Sequence, residues 1–438
     1  MSDAALTTSA ASRVWSPGRR ALAAVSLGRD EATFAAAGLT VIGLHVADDN
    51  FLQPQPGTSA GDHLVSGLVP IAVLLLVAGL YARLRPGLRG SLAVLLGVFG
   101  VVTGIEAVYY LHAGRLSGDD YTGLAAIAGG LVLACVGAAT LWRTRRVDDR
   151  LRRRVLRRFL LAAGALVGTY LILAPFLMAY VLTHSARAFV PADHVGASHE
   201  NVTFTTADGL RLRGWYVPSK NGAAVIAFPG RKGTQKPARM LARHGYGVLL
   251  FDRRGEGESE GDPNAWGWEG YRDVDAAVRF LQARPDVEPG RIGGIGLSVG
   301  GEMMLEAAAK SRGLNAVISE GAGERSVREY LDMTGKDWLA LPSYAGLTAG
   351  VALFSNHAPP ASLKDLVGRI APTPVFFIYG EHGQDGERNL NPTYYAAAGA
   401  PKTLWEVPGS GHVGGINAQP MQYERRVVGF FDRTLLGA

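Results

Sequence analysis

The chain has 438 residues, enough for two or three domains, with 44 Lys and Arg against 38 Asp and Glu and a formal net charge of +6. A single cysteine excludes an intramolecular disulfide, and a hydrophobic content of 48% excludes a disordered polar chain. Arginine dominates the basic residues and clusters between long apolar runs, which fits a membrane surface better than a nucleic-acid footprint.

Residues 1–31 are polar and mixed, carry Arg13, Arg19, Arg20 and Arg29, and lack an apolar core ahead of a cleavage site. They read as a cytoplasmic tail, not a signal peptide. Residues 32–47 form a short apolar run that contains His45, with a span favoured over an interfacial helix. The runs 64–81, 121–142 and 159–183 carry no charged residue, and 91–111 carries only Glu106. Each is long enough to cross about 30 Å of hydrocarbon at about 1.5 Å per residue. A helical transmembrane domain of four to five spans is therefore expected over 32–183, with Pro175 as a tolerated kink.

Orientation follows from the arginines. Arg83, Arg85 and Arg89, and a dense run within 143–158, share one side with the N-terminal tail. Asp48, Asp49, Asp62, Asp119 and Asp120 fall on the other, with Arg115. The positive-inside rule puts the arginine side in the cytoplasm and everything after residue 183 on the outer face of the cytoplasmic membrane. Glu106 is a carboxylate inside a span, and pairing with Arg115, pairing with a neighbouring helix, or a polar interior are its open alternatives. Cys135 lies within a span.

A linker is expected over 184–200. From 201 to 438 apolar strand-like runs alternate with helical ones, which implies a doubly wound, mostly parallel sheet. Runs 202–206 and 210–217 flank Asp208-Gly209, a hairpin turn signal. Run 223–228 ends in Pro229-Gly230-Arg231-Lys232. Run 245–251 precedes Asp252-Arg253-Arg254-Gly255-Glu256-Gly257-Glu258-Ser259, where the glycines permit positive φ and the Asp and Arg tie the turn. A helix over 273–284 leads to the apolar run 292–295 and then to Gly296-Leu297-Ser298-Val299-Gly300. That pentapeptide stands between a strand and the helical run 302–310, where a serine on a sharp turn exposes its hydroxyl near a helix N-terminus. Residues 326–370 break the alternation and read as a small lid with Trp338, Leu339, Tyr344 and Phe354, whose default is to pack on the sheet. Further on, run 403–407 leads to Gly409-Ser410-Gly411-His412, and a last amphipathic helix covers 421–436.

With G-x-S-x-G followed by a histidine on a glycine-rich loop, the region 201–438 resembles the α/β-hydrolase superfamily (serine esterases, lipases and peptidases). The resemblance implies a Ser298 nucleophile, a His412 base, and an acid after the strand-like run 375–379. The family usually places that acid about three residues past a glycine such as Gly380, but position 383 is itself glycine. Glu387, which precedes Asn391-Pro392 as the usual acid precedes a proline-started helix, ranks first; Asp385, Glu381 and Glu320 follow. His357 and His382 lack a glycine-rich loop and are weaker as bases. The backbone N–H groups of Val299 and Arg231 would form the oxyanion hole.

The expected function is a membrane-anchored serine hydrolase of an ester, thioester or amide. A peptidase or acyltransferase of the same fold, and a non-catalytic membrane binding or sensor module, are the alternatives. The expected partners are a small-molecule or lipid-like acyl substrate and membrane lipids, without nucleic acid. No metal-ligand spacing or phosphate-binding glycine loop stands out, so no metal or other cofactor is expected.

Overall fold

The computed structural model describes residues 17–145, 151–187, 196–228, 235–333 and 336–438, with the side chains of 17–29 excepted. In the first half the helices are α1 (Pro17–Ala47), α2 (Leu64–Leu80), α3 (Pro86–Thr103), α4 (Ile105–Ala113), α5 (Gly118–Arg143), α6 (Leu151–Gly168) and α7 (Ala174–Thr183). A wide turn over Thr169–Leu173 joins the last two into one long rod. Among the described residues, four stretches are long and apolar enough to cross a membrane: Ala60–Arg83, Pro86–Ala113, Gly118–Arg143 and Leu151–Thr183. Residues 32–47 are not one of these. They are the last part of α1, which packs Ala35, Leu39 and Ile42 into one cluster with Leu74, Val77, Ala93 and Leu133.

The bundle is held by backbone contact. Gly90, Gly97 and Gly104 recur at seven-residue intervals along α3 and the break after it; Gly123, Gly130 and Gly137 do the same along α5. A Cβ at Gly97 would lie 2.6 Å from the Gly130 carbonyl oxygen, and one at Gly104 would lie 2.1 Å from that of Gly123. Two helices can come this close only where side chains are absent, the usual means of association in lipid.

The two ends of the bundle differ. At one end Glu31 pairs with Arg89 (2.9 Å) and Arg143 (3.2 Å). At the other, Glu106 shares a side-chain hydrogen bond with Tyr110 and lines a small polar cavity with His45, Asp49, Asp119 and Asp120, so of its open alternatives the structure selects the polar interior. This second end carries the C-terminal half of the molecule.

That half contains β1 (Glu200–Thr205), β2 (Arg211–Val217), β3 (Ala224–Phe228), α8 (Lys236–Arg243), β4 (Gly247–Phe251), α9 (Tyr271–Gln282), β5 (Ile292–Leu297), α10 (Val299–Lys310), β6 (Ala316–Glu320), α11 (Val327–Asp332), α12 (Leu341–Ser355), α13 (Leu363–Leu366), β7 (Val375–His382), α14 (Asp385–Ala397), β8 (Lys402–Gly411), α15 (Gly415–Ala418) and α16 (Pro420–Phe431). The strands form one eight-stranded sheet in the order β1-β2-β4-β3-β5-β6-β7-β8. Among the described residues, only β1/β2 and β2/β4 pair antiparallel; every other pair is parallel. The central strands are buried on both faces, as parallel strands covered by helices must be.

The expected lid divides its packing. Tyr330, Met333, Leu363 and Leu366 join the core on one face of the sheet. The long middle helix, α12, meets that core through Leu341 and Tyr344 in its first turn. It lies along α7 and shares an apolar cluster with Ala179, Tyr180 and Trp268. A Cβ at Gly350 of α12 would come within 2.6 Å of the Ala179 Cβ, so small residues again set the approach. At the end of α12, the Asn356 Oδ1 accepts from the N–H groups of Val65 and Ser66 in the first turn of α2. The loop after β4 is also pinned to the bundle. The His63 imidazole lies 3.0 Å from the Asp262 carboxylate, and Gly261 N–H donates to the Pro56 carbonyl. Arg187 reaches Gln55 and the Gly261 carbonyl.

Candidate active site

Strand β5 ends at Leu297, and Ser298 stands alone before α10 with φ 52° and ψ −127°. A non-glycine residue in this region costs on the order of 1–3 kcal/mol and persists only when its surroundings hold it. Here Ser298 N–H donates to the Glu320 carbonyl (2.8 Å), and the Ser298 carbonyl accepts from Gly301 N–H (2.7 Å). The glycines of the pentapeptide are steric: a Cβ at Gly296 would lie 2.1 Å from the Gly300 carbonyl oxygen. Val299 opens α10, so its N–H has no acceptor within the helix and is free to face a ligand oxygen.

His412 follows β8 on the loop 412–414. Its Nε2 lies 2.9 Å from Ser298 Oγ and its Nδ1 lies 2.5 Å from Glu387 Oε2. A carboxylate on Nδ1 fixes the proton there and leaves Nε2 to accept the serine proton. Glu387 is 1% exposed, His412 26%. The second carboxylate oxygen of Glu387 accepts from Gly380 N–H at 2.8 Å.

Of the four ranked acids, Glu387 alone bonds His412. Asp385 is exposed and pairs with Arg388, and Glu381 accepts from Gly409 N–H at the surface. Glu320 is buried, with its oxygens taken by Gly415 N–H (2.9 Å) and the Tyr423 hydroxyl (2.6 Å), and burial pushes its carboxyl up from the ordinary range. It braces the chain just beyond His412 from behind. His382 ends β7 opposite Gly411 with no bond to Ser298, and His357 lines a separate polar cavity beside Asp262.

One expectation about the acid is corrected. The helix does not start at Pro392; α14 starts at Asp385, and Glu387 lies in its first turn. From there the side chain reaches back over Gly383, where a Cβ would sit 2.5 Å from the Glu387 Cδ. Glycine stands at 383 because the carboxyl group fills that space from four residues further on. Gly321 is a second such position, with φ 74° and a Cβ that would meet His412 Cε1 at 3.3 Å and Glu387 Cδ at 3.4 Å. Sequence reasoning missed Gly321, Glu320 as a brace and its partner Tyr423; the signal for the first was a glycine directly after a strand-ending acid.

The Asp252–Ser259 turn is architectural. Arg254 forms a buried pair with Asp273 (2.8 Å) and a second with Asp208 (3.0 Å), and Ser259 Oγ donates to the Asp252 carbonyl. Arg231, with the rest of 229–234, lies outside the described residues. Beside the elbow, Glu302 is buried against Gly323 N–H (3.0 Å) near Arg325 and Glu329, and burial raises its pKa to about 8. Among the described residues, no cluster of His, Cys, Asp and Glu has the arrangement of a metal site.

A family model described as X-Pro dipeptidyl-peptidase (S15 family) matches residues 191–366, a stretch that includes Ser298 but stops short of Glu387 and His412. The chain is 32% identical over 240 residues to the uncharacterized protein Rv2307c of Mycobacterium tuberculosis, covering 52% of this chain and 77% of that protein. It is 28% identical over 258 residues to YfhR of Salmonella typhi, covering 55% of this chain and 84% of the relative. Among solved structures, the Pyrococcus furiosus esterase Pf2001 aligns at a TM-score of 0.47 and 22% identity, covering 58% of this chain and 98% of that one.

Proposed function

Because the chain belongs to the α/β-hydrolase superfamily, we propose that it is a membrane-anchored serine hydrolase that cleaves an ester, thioester or amide through an acyl-enzyme. One observation carries the reading: His412 is hydrogen-bonded to Ser298 Oγ through one ring nitrogen and to the buried Glu387 through the other. The imidazole takes the Ser298 proton as Oγ adds to the substrate carbonyl. Glu387 holds the ring in the required tautomer and stabilises the imidazolium. The N–H groups of Val299 and, by expectation, Arg231 face the oxyanion, each such donor being worth about 3 kcal/mol of barrier. The imidazolium then protonates the leaving group, and water, activated by the same ring, releases the acid and restores the serine.

The arginine-rich end of the bundle, with Glu31, Arg89 and Arg143, is cytoplasmic in this proposal, and the opposite end carries the hydrolase domain outside. Peptide-bond hydrolysis is the second reading, favoured by the family model over residues 191–366. A fluorophosphonate probe labels the wild type and fails to label Ser298→Ala; a folded wild type that stays unlabelled overturns the catalytic reading. Turnover of p-nitrophenyl esters against aminoacyl amides separates esterase from peptidase. A reporter fused after Ala438 that works in the cytoplasm reverses the orientation.

A further inference from the structure

The largest apolar cavity described, about 790 Å³, opens between α2, α3 and the long rod of α6 and α7. Val73, Leu95, Phe99 and Ile172 are among its walls; Ser91 and Thr169 are the only polar side chains described in its lining, and none is charged. The rod is held off the bundle here. Only 6% of its most apolar window is buried, against 28–33% in the other three candidate spans. Along the rod the cavity runs from Gly164 to Leu177, about 20 Å at the rise of a helix, which is the reach of one lipid chain across a leaflet of about 15 Å.

The far wall is not a span. It is Leu353 and Phe354 of α12, the helix inserted between β6 and β7. Phe354 shares its apolar cluster with Trp268, and Tyr344, one end of the same helix, stacks on Trp266. Gly267, between these two tryptophans, is pressed onto the residue after the nucleophile: a Cβ there would lie 2.6 Å from Val299 Cγ1. A chain of packed apolar contacts therefore links the cavity wall through Trp268 and Gly267 to the elbow of Ser298. Just before α12, at its Tyr344 end, Trp338 and Leu339 are 63% and 81% exposed, and the Leu339 carbonyl accepts from the Tyr170 hydroxyl on the rod.

We propose that this cavity is an acyl-chain site, and that the substrate is a membrane lipid or lipid-like ester whose chain lies between the rod and the bundle while its ester group is presented across α12 to Ser298. The proposal rests on the hydrolase reading and names its substrate class. A bilayer chain is the occupant because every described wall residue other than Leu353 and Phe354 belongs to a candidate span and none carries a charge, as suits a site whose surrounding solvent is hydrocarbon.

The test uses the full chain in phosphatidylcholine nanodiscs with p-nitrophenyl palmitate and p-nitrophenyl butyrate. Ser91→Trp and the milder Val73→Phe fill the cavity without touching the Ser298 site. They raise KM for palmitate about tenfold and leave butyrate unchanged. Unchanged KM for both esters, or a parallel change in both, overturns the proposal. Mass spectrometry of the detergent-purified protein gives a readout independent of turnover: bound diacyl lipid is retained by the wild type and lost from Ser91→Trp, and equal lipid in both overturns the site. If the wild type cleaves neither ester, the hydrolase reading fails, while the lipid measurement still decides the cavity.

Discussion

The two halves of this molecule are held together by opposite means. In the bundle, glycines let helices touch backbone to backbone, as at Gly97 against Gly130. In the hydrolase half, large side chains fill the interior: Trp215, Tyr216, Phe251, Phe377 and Phe431 are fully buried. The difference is the one that two solvents would impose. Water drives large apolar groups inward, whereas hydrocarbon is as apolar as leucine and rewards only close contact. Helix α12 uses both kinds of contact. Its Gly350 meets Ala179 on the rod while its Tyr344 stacks on Trp266 and Tyr330.

The sharpest way to break this comparison is to disable the chemistry and leave both halves standing. His412→Ala lowers kcat on the order of 10⁶-fold with unchanged thermal unfolding. Glu387→Gln lowers it about 10⁴-fold, through the wrong tautomer, while Asp385→Asn stays within about twofold. Steady-state rates on a short p-nitrophenyl ester read all three, and full activity in Glu387→Gln removes it as the acid.

Stability measurements separate the two kinds of core. Phe377→Ala opens a cavity in the sheet and costs about 3–5 kcal/mol in denaturant unfolding. Gly130→Leu adds volume where none is available and costs about 1–3 kcal/mol, read as a lower Tm in nanodiscs. A Phe377→Ala that is harmless, or a Gly130→Leu that is harmless, would erase the distinction between the halves.

The smallest effect is one of pH. Glu302 has its folded pKa raised to about 8, above its ordinary value near 4.5. The folded state therefore holds a proton that the unfolded state releases. That contribution is fully present below pH 4.5 and is lost as pH rises through 8. Glu302→Gln leaves Tm unchanged at pH 4.5 and raises it at pH 9. Equal Tm differences at both pH values would show that the carboxyl is ionised throughout.

Much of this was legible in the chain. Ser298 and His412 follow from a motif, a strand before it and a glycine loop after, all local signals. The four long apolar runs are equally local, and each lies within one of the four candidate spans of the structure. Glu387 was harder, because its helix starts six residues before Asn391 and its carboxyl occupies the space over Gly383, a through-space substitution that a linear spacing rule misreads. The placement of α12 was not legible. Its uncharged sequence suits the sheet, the bilayer or another helix equally, and only tertiary contact chooses α7. The seven-residue glycine repeats on α3 and α5 were visible, but their meaning depended on knowing that the two helices are antiparallel neighbours.

The docking of α12 on α7 bears on whether the C-terminal half can be shed. A cut in the 184–200 linker would leave Val351 and Phe354 without Ala179 and Tyr180 against them, and Asn356 without the first turn of α2. The liberated fragment would carry a bare greasy flank where the bundle had covered it. The C-terminal half is thus no finished fold waiting to be unclipped: helices of the bundle complete its packing.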